Sequence, residues 1–96
     1  MMIIVSYDVK TDGPKGRKRL RRVAKVCKNY GQRVQFSVFE LIMDSALWAT
    51  VKDKLEKEID PKVDSLRFYF LGNNYDAKTE HIGAKETIDQ EGALIV

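Results

Sequence analysis

Three features of this 96-residue chain predict an α+β fold, one sheet with two helices on one face. Apolar residues alternate with period two in "IIVSYDV", "RVQFSVFELIM" and "DSLRFYFLG". Two stretches between them carry apolar residues at helical spacing instead. The chain is also short enough that these elements share a single domain and a single core.

The first strand places Ile3, Val5, Tyr7 and Val9 on one face and Ile4, Ser6 and Asp8 on the other. Its polar residues gather at the C-terminal end. "KTDGPKG" then reads as a turn, with Pro14 suited to the first turn of a helix. From about 15 to 30, Leu20, Val23, Ala24, Cys27 and Tyr30 form one helical stripe, and Gly31 supplies the stop. In "RVQFSVFELIM", Val34, Phe36, Val38 and Ile42 share one parity and Gln35, Ser37, Phe39 and Leu41 the other. Both faces read as largely buried, and the pattern fits either one bent strand or a short hairpin. Asp44 or Ser45 caps a second helix with the stripe Leu47, Trp48, Val51, Leu55 and Ile59, ended by Asp60 and Pro61. The last clear strand sets Leu66, Phe68 and Phe70 against Arg67, Tyr69 and Leu71. A polar tail follows, closing on the apolar "ALIV", which can pack on its own sheet or on that of a second copy. This order is the ferredoxin-like βαββαβ sandwich, with an extra C-terminal strand at the tail.

The formal net charge of +3 conceals a polarised surface. Ten bases and one acid fall between Lys10 and Arg33, leaving seven bases and thirteen acids elsewhere. A solvated helix face normally interleaves acids at i,i+4, yet Lys15 to Lys28 contains none. A compact positive pole of this kind attracts phosphate polyanions. No apolar run approaches the roughly 20 residues that a membrane span needs, and "MMIIVSYDV" is too short for a secretory signal. The single cysteine, Cys27, lies on the apolar helix stripe and reads as a buried thiol in a reducing, cytoplasmic setting.

Chemistry-bearing patterns are few. His81 is the sole histidine, in the polar tail, without the spacing of a zinc site, and reads as a surface residue. "GPKG" lacks the phosphate-loop pattern. Asp8 is the candidate, either as an oxygen ligand for a hard cation or as a cap of the loop after its strand. One aspartate makes a poor magnesium site. A complete one would draw on Asp12 or on a second Asp8 across a two-fold axis.

"SYDV" closing the first strand, a basic helix ending "KNYG" and then "RVQFSVFE" resemble the CRISPR-associated protein 2 family. "EIDPKVDSLRFYFLG" and "GALIV" are most similar to its type I-C branch. The resemblance implies a ferredoxin-like protomer in a homodimer, with a C-terminal segment, about 78–96, added to the partner's sheet. It implies a Mg²⁺-dependent endonuclease acting on double-stranded DNA or single-stranded RNA. The dimer would also stand at the centre of the spacer-acquisition complex with the CRISPR integrase, CRISPR-associated protein 1. Asp8 from each chain would be the catalytic and metal-binding residue. Arg33 and Ser37 fall on the motif after the helix, and Arg17, Arg19 and Arg22 match the family's helix arginines in kind as nucleic-acid contacts. A non-catalytic duplex-DNA adaptor is the competing function. A sheet-face RNA binder is a third, and it would need exposed aromatic side chains for base stacking.

Overall fold

The computed structural model describes residues 1–72 and 78–84. The elements are β1 (Met2–Asp8), α1 (Pro14–Tyr30), β2 (Gln32–Gln35), β3 (Val38–Ile42), α2 (Ser45–Glu58), β4 (Ser65–Leu71) and β5 (Lys78–Gly83). They form one antiparallel sheet in the order β2-β3-β1-β4-β5, with β1 at its centre. The α+β expectation holds.

Register explains the core. Val5 sits opposite Phe39 on one side and Phe68 on the other, and Ile3 opposite Leu41 and Phe70. Ile3, Val5, Tyr7, Phe39, Leu41, Leu66 and Phe68 are buried together with Val23 and Cys27 of α1 and Trp48, Val51 and Leu55 of α2. The two helices therefore cover this face. Trp48 meets the rings of Phe68 and Phe70 edge-on, at centroid distances of 4.8 and 5.7 Å, a preferred aromatic geometry. Ile4, Ser6 and Asp8, with Arg67, Tyr69 and His81 opposite or diagonal to them, occupy the other face.

The helix ends follow local chemistry. Asp44 caps α2, its Oδ1 accepting from the Leu47 amide at 2.8 Å. At the start of α1, Gly13 has φ of 93° and Pro14 follows at the first helical position. Gly31 ends α1 in extended backbone, not the left-handed turn usual for a glycine stop. Glycine is needed there because a Cβ would collide with Leu41 and the Glu40 carbonyl.

Several expectations are settled or corrected. "RVQFSVFELIM" is a hairpin, since Gln35 already pairs with Val38 and the register shifts between Arg33 and Gln35. All four β2 residues are exposed, and Phe36 is 92% exposed, so the reading of two buried faces fails here. The reason is position: β2 is the outer strand of the sheet, and its side chains are left in solvent. Leu47 is exposed at the head of the α2 stripe. The tail reading of His81 is also overturned, because it lies within β5, paired in register with Arg67. Residues 78–83 of the C-terminal segment add to β4 of the same chain. The closing "ALIV" lies outside the described residues. No described helix is long and apolar enough to cross a membrane.

Candidate nucleic-acid and metal site

Asp8 is the last residue of the central strand and is exposed. It pairs in register with Ser65, while Ser6, on the same face, pairs with Arg67. Ser6, Tyr7, Asp8, Ser65 and Arg67 line a cleft of about 220 Å³. Oxygen donors with a cation beside them suit a hard metal ion and a phosphoryl group. Among the described residues, no three His, Cys, Asp or Glu side chains come together as a metal site. Asp12 is not in the cleft lining and pairs instead with Lys10 at 3.7 Å. Among the described residues, Asp8 is the carboxylate that lines this cleft.

The β2–β3 turn is fastened to the strand that carries Asp8. The Tyr7 amide donates to the Ser37 carbonyl at 3.0 Å, and the Tyr7 hydroxyl to the Phe36 carbonyl at 3.3 Å. Arg33 lies over the Phe39 ring at 5.0 Å. Burial pushes the Tyr7 phenol up, with Arg33 opposing it in part. Ser37 and Arg33 line an open depression with Val34, Gln35 and Phe36. Arg33 pairs with Phe39, whose ring is in the helix-covered core, so its strand position is on the opposite face from Asp8.

The helix arginines divide. Arg17 is exposed. Arg22 is mostly exposed and approaches Glu58 only at 3.9 Å. Arg19 is spoken for: its Nε donates to Asp64 Oδ2 at 2.7 Å and its Nη2 to Oδ1 at 3.3 Å. Asp64 is fully buried and also accepts from the amides of Lys10 and Asp60 at 3.0 and 2.8 Å. Burial alone would push this carboxyl up. The Arg19 bond and the two backbone donors outweigh it, and the net shift is downward.

Arg67, Ser65 and Asp64 were not singled out from the sequence. Arg67 was findable, since antiparallel pairing of the first and last clear strands brings the polar parity of one against that of the other. His81, opposite Arg67, has its Nε2 buried without a hydrogen-bond partner among the described residues. Burial, and then the Arg67 charge, lowers its pKa from 6.5.

The comparisons agree with this architecture. The family model described as CRISPR associated protein Cas2 matches residues 1–79. The CRISPR-associated endoribonuclease Cas2 of Chlorobaculum tepidum is 60% identical over 96 residues, covering 100% of both chains. The CRISPR-associated endonuclease Cas2 of Halalkalibacterium halodurans is 57% identical over 95 residues, covering 99% of each. The crystal structure of Streptococcus pyogenes Cas2 at pH 6.5 superposes with a TM-score of 0.70 at 56% identity, over 78% of this chain and 90% of that one. With both fold and sequence matched over most of its length, the chain belongs to the CRISPR-associated Cas2 family.

Proposed function

We propose that this protein is a metal-dependent phosphodiesterase of CRISPR adaptation, working as a homodimer on double-stranded DNA. The observation that carries this reading is Asp8: an exposed carboxylate ending the central strand, in a cleft that also holds Arg67. The names of its relatives, endoribonuclease in one case and endonuclease in another, support cleavage and leave RNA as the second substrate. Two Asp8 carboxylates, one from each protomer, would hold Mg²⁺. When bound, that ion polarises a phosphoryl oxygen and makes water a better nucleophile. Arg67 neutralises the scissile phosphate from its place on the same face. Arg17 and Arg22 attract the backbone to the protein without reading bases. Ser37, at the turn held to Tyr7, and Arg33, on the other face of the sheet, offer further polar contacts to the backbone.

The second sheet face supports dimerisation, because Ile4, Val38 and Tyr69 are left half-buried there with no helix among the described residues above them. The dimer would serve as the central platform between copies of the CRISPR integrase, in a cytoplasmic adaptation complex of the type I-C kind. A non-catalytic adaptor is the second reading, favoured by the cleft lining, which among the described residues holds one carboxylate, Asp8.

The deciding experiment is cleavage of duplex DNA and single-stranded RNA by wild type and Asp8→Asn, with Mg²⁺ and with chelator. Asp8→Asn should retain its melting temperature and lose cleavage by at least about a hundredfold, the scale expected when a metal ligand is lost. Equal rates in both proteins would leave the adaptor.

A further inference from the structure

We infer that Arg19 and Asp64 form a clamp that positions Asp8 for its metal ion; this rests on the reading of Asp8 as a ligand. The Asp64 carboxylate accepts four hydrogen bonds: from Lys10 N and Arg19 Nη2 on Oδ1, and from Arg19 Nε and Asp60 N on Oδ2. That fills the acceptor capacity of a carboxylate. Arg19 Nη2 also reaches the Lys10 carbonyl at 3.4 Å. Both polar groups of the Lys10 backbone are therefore held, two residues beyond Asp8.

The same acid is also tied to the strand beside Asp8. Asp64 directly precedes Ser65, the register partner of Asp8. The Asp64 carbonyl accepts from Ala84 N at 2.9 Å, fixing the end of β5 to the same point. Gly16 lies so close to Lys10 that a Cβ would collide with its carbonyl, so α1 is seated directly on the loop. One buried acid thus joins the exit of β1, the first turns of α1, the end of α2 and the start of β4. The exit of β1 carries Asp8. A carboxylate displaced by about an ångström is a poor half of a shared site, which is how supporting residues around metal ligands act.

Arg19 is accordingly a positioning residue, and its guanidinium is engaged away from phosphate. The two roles separate experimentally. The probe is Mn²⁺ alone, titrated by calorimetry into wild type, Asp8→Asn, Asp64→Asn, Arg19→Lys and Val51→Ala, alongside melting temperatures. Val51→Ala loosens the helix core without touching the clamp. Asp64→Asn cannot accept all four bonds and should bind Mn²⁺ about 10–100-fold more weakly. Arg19→Lys keeps the charge but not the planar fork, so it should show a smaller loss in the same direction. Val51→Ala should bind as wild type at comparable destabilisation. In chelator, Arg19→Lys and wild type should bind duplex DNA equally and with the same salt slope. Wild-type Mn²⁺ affinity in Asp64→Asn and Arg19→Lys, with loss in Asp8→Asn, overturns the clamp alone. Equal loss in Val51→Ala reduces it to general stability and also overturns it. Wild-type affinity in Asp8→Asn removes the ion from this residue and overturns both readings.

Discussion

Cys27 sits with no exposed surface on the inner face of α1, and burial pushes its thiol up to about 12. Thiolate is the reactive form, so an aromatic disulfide reagent at pH 8 should leave the native protein unlabelled and react fully once denaturant unfolds it. His81 makes a second prediction at this scale. Its imidazole is held below 6.5 by burial and by Arg67, so the unfolded chain takes up a proton first as pH falls. The stability gained from neutral His81 is present above about 6.5 and lost as pH drops through the lower folded value. Melting temperature should therefore fall between pH 7.5 and 5.5 more steeply in wild type than in His81→Gln. Asp64, whose carboxyl is held below 3.8, contributes a separate loss only in stronger acid. The place of Asp8 at the end of an alternating strand beside a basic segment was legible in the sequence. Asp64 was not: nothing in "KVDSLRF" marks it as buried, and its partner Arg19 lies 45 residues away in the chain.

Elements were read where periodicity was strong. The α1 stripe buries Val23 and Cys27, and α2 buries Trp48, Val51 and Leu55, as helical spacing requires. β5 escaped because "KTEHIG" has only one clear apolar residue, Ile82, to set its alternation. Its inward position at residue 80 is a charge, held by Lys52 of α2 at 2.9 Å. The β2–β3 segment misled for a different reason. Its apolar residues would normally signal two covered faces, but Val34 and Phe36 stand on an outer strand and its turn. Trp48 is the side chain on which the helix-to-sheet contact most depends. Replacing it with alanine removes two edge-on ring contacts and should cost about 3–5 kcal/mol in urea unfolding. An equivalent change at exposed Leu47 should cost under about 1 kcal/mol in the same measurement.

At the scale of the molecule, charge separates more sharply than the net value suggests. The exposed bases of α1, Arg17 and Arg22 among them, lie on the outside of the helix layer, while Asp8 is at the rim of the opposite sheet face. On the proposed function, nucleic acid drawn to the first must still reach the second. Neutralising Arg17 and Arg22 together should weaken duplex binding and lower the magnitude of its salt slope by about two, the loss of two phosphate contacts. Equilibrium titration at several salt concentrations reads this directly. An unchanged slope would move the binding surface off the helix.

The shift in pairing between Arg33 and Gln35 interrupts the outermost ladder of the sheet. An extended strand from another molecule finds no continuous row of donors and acceptors along that border. Growth by strand addition is then confined to the far side. Molecules that can join on one side only make closed assemblies, so this border works against growth into a fibre.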